Sequence, residues 1–175
     1  GKRSGNFVTL KQLIEEAGND ATRFFYLTRS PEQHLEFDID LARSQTADNP
    51  VYYVQYAHAR ISSIFRELVS RGWTHDESAG LTALPNLADA GIEELVKRLS
   101  AWPEAVAAAA RNRAPHQLTH VLRELAQDFH TYYNSNKMLV VDADQRNGRL
   151  TLSLAVQKIL ANGLTLLGVA APERM

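Results

Sequence analysis

Residues 49–61 read N-P-V-Y-Y-V-Q-Y-A-H-A-R-I, so three tyrosines, a glutamine, a histidine and an arginine share thirteen positions. Phenol rings can stack on an unpaired nucleobase, and amide and guanidinium groups can bond its edge. The same residue types also serve packing, since a boundary tyrosine buries its ring and keeps its hydroxyl wet. On a helix with residue 51 at 0°, Val54, Ala57, Ile61, Ile64, Phe65 and Leu68 fall between about 220° and 320° and make a core face. Tyr53, Tyr56 and Arg60 fall between about 140° and 200°, a single stripe beside that face. Tyr52, Gln55 and Ala59 lie on the far side. His58 sits at the opposite core edge and reads as a structural histidine.

Two other groupings have chemical potential. His116, His120 and Glu124 are spaced by four in A-P-H-Q-L-T-H-V-L-R-E. Histidines one turn apart can hold zinc, but there is no glutamate directly after the first and no clear third ligand. A polar helix face is the better reading, and no metal site is expected. Asp38 and Asp40 stand two apart, but acid–base work would need a cleft and raised pKa values, so a capping or solvated pair is expected. Arg111, Arg113, Lys137, Arg146 and Arg149 supply positive charge near the expected bundle surface.

Helices must position these groups. Thr9 with Gln12 is a capping box that opens a helix to about Ala17, with Gly18 as its stop. Asn19 or Asp20 caps a second helix that ends before Pro31. L-E-F-D-I-D-L leads into a helix around residues 39–47. Asn49-Pro50 starts the long helix to about Ser70, with Pro50 where a missing N–H costs nothing. Residues 71–87 are the most linker-like stretch. Further helices are predicted at 90–100, 103–113, 115–137 and 149–167. The fold class is all-α, a helical bundle behind a short N-terminal appendage.

Composition sets outer limits. The chain has 175 residues, is 45% hydrophobic and 22% charged, and carries only 9 glycines and 6 prolines, which suits a helical domain with a core. It has no cysteine, so disulfides, thiolate zinc and cysteine nucleophiles are excluded. The net charge of −1 argues against a non-specific, charge-driven nucleic-acid binder. It leaves room for a base-reading one with a local basic face. With no membrane span or signal peptide in the sequence, a cytoplasmic location is expected.

Four segments together resemble the C-terminal part of bacterial arginyl-tRNA synthetase, a class I aminoacyl-tRNA synthetase with a DALR-type anticodon-binding domain. K-R-S-G-N-F-V-T-L at 2–10 resembles the end of the family's Lys-Met-Ser-Lys loop and the segment directly after that loop. N-D-A-T-R-F-F-Y-L at 19–27 resembles its Asp-Ala-Leu-Arg element, with Thr22 replacing an apolar residue. L-E-F-D-I-D-L-A followed by D-N-P-V-Y-Y-V-Q-Y-A-H-A-R-I-S-S-I is the most specific stretch. The terminal L-L-G-V-A-A-P-E-R-M matches the family's characteristic end.

The resemblance implies an anticodon-binding helical bundle over residues 45–175. Residues 1–44 would be the end of the catalytic region with its stem-contact helices. It implies tRNA(Arg) as partner and places tRNA contacts on Tyr53, Tyr56 and Arg60, on Tyr132 with Tyr133 as the alternative, and on Met175. Lys2 would be the remnant of the ATP-contacting loop. The His-x-Gly-His motif and a βαβ nucleotide domain are missing from the sequence. The expectation is therefore a monomeric fragment that binds tRNA but has no catalytic residues or cofactor of its own. ATP with Mg and arginine would belong to the full-length ligase. The competing reading is a helical protein-interaction module with the tyrosine stripe as its contact surface.

Overall fold

The computed structural model describes residues 8–175, which fold as eight α-helices with one 3₁₀ turn. The Lys2 element lies outside the described residues. Helix α1 (Leu10–Ala17) opens with the expected capping box: Gln12 N donates to Thr9 Oγ1 at 3.2 Å, and Thr9 N donates to Gln12 Oε1 at 2.8 Å. Helix α2 (Asn19–Leu27) follows after Gly18, whose φ of 85° suits a residue without a Cβ. Helix α3 (Ile39–Arg43) is shorter than expected. It is capped by Asp38, which accepts from Leu41 N at 2.9 Å.

Helix α4 (Pro50–Ser70) runs as its cap signal implies. Asn49 is almost fully buried and accepts from Val51 N and Tyr52 N. Its amide also donates to Ala42 O at 3.1 Å and Ser44 O at 2.7 Å, so one side chain ties the end of α3 to the start of α4.

Residues 77–86 of the linker-like stretch are helical, which corrects the sequence expectation. Helix α5 (Glu77–Ala83) is capped by Asp76, and Leu84–Asn86 forms the 3₁₀ turn. The reason is long-range. Helix α5 lies against helix α8 (Ala143–Leu166), and a Cβ on Gly80 would stand 2.0 Å from Thr151 Oγ1 and 2.6 Å from Asn147 O. Glycine is what lets the two backbones approach. Helix α6 (Ile92–Arg111) is continuous through Pro103, where two helices were predicted. An interior proline costs about 3 kcal/mol. Here Leu99, Trp102 and Val106, on either side of the proline, all pack on the core, which offsets that cost. Helix α7 is His116–Ser135. Helix α8 starts at Ala143 rather than 149, because Asp142 accepts from Gln145 N at 2.7 Å and caps it early.

The core is one cluster. Phe24 of α2, Val54 and Ile61 of α4, Leu122 and Phe129 of α7, and Leu150 and Leu160 of α8 are wholly buried. Helix α8 is the central element, buried on most of its circumference over Arg146–Ser153. Its C-terminus is bound to α2, since Arg23 Nε donates to Leu167 O at 2.5 Å.

Candidate nucleic-acid interface

The core face of α4 decides where its polar rings go. Val54, Ala57 and Ile61 are fully buried, so Tyr53, Tyr56 and Arg60 are carried along the flank that meets α7. All three are partly exposed. The guanidinium carbon of Arg60 stands 4.6 Å from the Tyr56 ring centroid and 4.7 Å from that of Tyr133 on α7. Two phenol faces thus hold one cation between them. Arg60 Nη2 also donates to Tyr56 Oη at 3.0 Å. Among the described residues Arg60 forms no ion pair.

Behind this sandwich lies His130, which is nearly fully buried. Arg60 Nη1 donates to His130 Nδ1 at 2.9 Å, and His130 Nε2 is 3.4 Å from Tyr53 O. A guanidinium can only donate, so Nδ1 carries the lone pair and Nε2 the proton. Burial and the Arg60 charge together lower the imidazole from 6.5 to about 4. The ring packs 4.6 Å from Tyr53 and 5.7 Å from Tyr56. Burial also raises the Tyr53 phenol, with Arg60 opposing.

Tyr52, expected on the far side, stacks on Tyr56 with centroids 5.9 Å apart and planes 7° apart. It lines a cleft of about 670 Å³ together with Gln55, Arg43, Asn49, Asp20 and Met175. The rest of that side is covered by the chain's own C-terminal segment. Gln55 Nε2 donates to Ala170 O at 2.9 Å, His58 Nδ1 lies 2.9 Å from Pro172 O, and Arg66 Nη1 donates to Glu173 O at 3.1 Å. Asp20 Oδ2 accepts from both Gln55 Nε2 and Ala170 N. Ala59 on that side is buried. His58 is the structural histidine its position implied. Met175 is 53% exposed at the mouth of the cleft.

Tyr132 is where the structure corrects the sequence. It is 0% exposed, and its hydroxyl donates to Asp89 Oδ2 at 2.7 Å. Burial, and then the Asp89 carboxylate, push its phenol up. It cannot meet a nucleotide, whereas its neighbour Tyr133 is half-buried against Arg60. The signal was present in the chain: Leu118, Leu122, Leu125, Phe129 and Tyr132 repeat at four-three spacing and form the buried face of α7.

Arg146 and Arg149 are likewise not surface charges. Arg149 is buried and forms two bonds to Asp89, at 2.7 and 2.6 Å, and donates to Lys137 O at 2.6 Å. That guanidinium holds the Asp89 carboxyl below its usual range. Arg146 lies over the Trp73 ring at 4.4 Å and donates to Val140 O and Val141 O. Glu124, from the histidine-spaced group, is engaged by Arg98 at 2.5 Å. Helical spacing placed Tyr52 on the far side of α4, away from the stripe, and His130 stood out by no spacing signal, being a lone histidine among aromatics.

The signature of a family described as the DALR anticodon binding domain matches residues 54–175. The chain belongs to the DALR anticodon-binding domain family. The DALR match takes in most of α4 and everything after it, including Tyr56, Arg60, His130, Tyr133 and Met175. The arginine–tRNA ligase of Thioalkalivibrio sulfidiphilus is 54% identical over 173 residues, covering 99% of this chain and 30% of that ligase. The arginine–tRNA ligase of Coxiella burnetii strain CbuK_Q154 is 53% identical, with 29% of it covered. The solved Thermus thermophilus arginyl-tRNA synthetase aligns at a TM-score of 0.75 with 30% identity, over 99% of this chain and 29% of that one. The chain therefore spans about 30% of the length of the curated relatives it matches.

Proposed function

We propose that this chain is the tRNA(Arg)-binding, C-terminal part of a longer arginine–tRNA ligase, and that its task is to hold the anticodon loop. The observation that carries this is the Arg60 guanidinium between Tyr56 and Tyr133, continuous with the Tyr52–Tyr56 stack. Stacked phenols offer faces for an unpaired base, and an arginine without a carboxylate partner offers donors to its edge or phosphate. The cleft beside Tyr52 and Met175 is large enough for an extruded nucleotide. The contact set is Tyr52, Tyr53, Tyr56, Arg60, Tyr133 and Met175. The family match and the arginine ligases among the relatives support this reading.

ATP, Mg and arginine belong on this reading to the remainder of the ligase. Residues 1–44 close the catalytic region and residues 45–175 form the anticodon-binding unit. The protein works as a cytoplasmic monomer. No helix of the described residues is long and apolar enough to cross a membrane.

The test is binding of this chain to a fluorescent anticodon stem-loop of tRNA(Arg), with an unrelated stem-loop as control. Preferential binding that weakens steeply with salt is the expected result. Equal affinity for both loops, or none for either, overturns the proposal. The chain should also show no arginine-dependent exchange of pyrophosphate into ATP.

A further inference from the structure

We infer that His130 is a positioning residue for nucleotide recognition: its buried, unprotonated Nδ1 accepts from Arg60 and fixes the guanidinium between the two tyrosine rings. The inference rests on the reading of the Arg60 face as the RNA-binding face.

A half-exposed arginine loses rotamer entropy when it is fixed, so it stays mobile unless something holds it. Two rings hold the plane of Arg60, but stacking alone leaves rotation within that plane. The hydrogen bonds to His130 Nδ1 and Tyr56 Oη remove that rotation. They use two of the five guanidinium donors and leave three for a ligand. A planar donor edge with its direction set beforehand suits a base or phosphate better than one that must be ordered on binding.

His130 can do this only as a neutral ring, and its surroundings keep it so. It is buried between Tyr53, Tyr56 and Phe129. The charged group acting on it is Arg60 on α4, which opposes a second positive charge; Asp128, two positions earlier on α7, is taken by Arg98 at 2.5 Å. Its Nε2–H is directed to the Tyr53 carbonyl, which fixes the tautomer. Asparagine could present a carbonyl oxygen close to where Nδ1 lies; phenylalanine could fill the space but accept nothing.

The test compares His130→Asn with His130→Phe for affinity toward the tRNA(Arg) anticodon stem-loop. His130→Phe should weaken binding by about tenfold, as loss of a charge-assisted hydrogen bond would. His130→Asn should recover most of it. In an Arg60→Ala background, neither change should matter further. If His130→Phe binds as tightly as the parent while Arg60→Ala or Tyr133→Ala binds weakly, the inference fails and the face survives. If all of them bind like the parent, the face itself is misread. Nitrogen-15 NMR of the unmutated chain gives a second test that needs no folded variant. It should show His130 protonated at Nε2 alone at pH 6; a proton on Nδ1 overturns the inference.

Discussion

Tyr132 and Tyr133 are adjacent on α7 and face opposite environments: one is sealed in the core on Asp89, the other lies against the Arg60 guanidinium. Replacing each separates stability from binding. Tyr133→Ala should weaken anticodon stem-loop binding by about 1–3 kcal/mol with little loss of stability. Tyr132→Phe should leave binding intact and cost about 1–2 kcal/mol in urea unfolding, because Asp89 loses a donor. The reverse pattern would place the wrong tyrosine at the surface.

The Asp89–Arg149 pair anchors the loop before α6 to the central helix. Both side chains are under 10% exposed, at 5% and 9%. Asp89→Ala strands a buried guanidinium and should cost about 3–5 kcal/mol, read from denaturant midpoints at constant slope. A loss below 1 kcal/mol would mean that water reaches Arg149.

Gly80 makes a steric prediction. An alanine there must push Thr151 and the Asn147 carbonyl aside. Gly80→Ala should destabilise by about 1–3 kcal/mol in spite of alanine's better helix propensity. A companion Thr151→Ala change should recover part of that loss. Stabilisation by Gly80→Ala alone would show that α5 stands farther from α8.

His130 predicts a pH dependence. Its folded value, about 4, lies below its ordinary 6.5. Between these limits the unfolded chain binds a proton that the fold does not, so stability falls as pH drops from about 6.5 to 4 and is flat with respect to this group above and below. The slope from this group approaches ~1.4 kcal/mol per pH unit. Chemical denaturation of the parent and of His130→Asn across this range should show a shallower slope for the variant. Equal slopes would mean that the imidazole titrates normally in the fold.

What the sequence disclosed was local. The Thr9–Gln12 capping box and the Asn49-Pro50 start are written within a few residues, and both stand as read. The core face of α4 followed from helical periodicity alone. What escaped depends on partners far along the chain. Helix α5 is weak by composition and is held by the fit of Gly80 against Thr151. The break predicted at Pro103 is overridden by core contacts on both sides of it. The cover of the α4 side that carries Gln55 and Arg66 was not legible in the helix itself, because it is residues 170–173, more than a hundred positions later. The charge of Arg149 looked like surface because its partner Asp89 lies sixty positions earlier, just past a stretch that read as a linker.

The two hydrogen bonds accepted by the Asp20 carboxylate, from Gln55 and from the Ala170 amide, tie α2 and the C-terminal segment to α4. Phe24, one turn later, is wholly enclosed by the bundle. A truncation that kept only residues 45–175 would therefore bare an aromatic socket and cost the C-terminal segment its bonds to Asp20 and Arg23. Sequence boundaries and cooperative melting units need not coincide, and in this chain α2 belongs mechanically to the bundle it precedes.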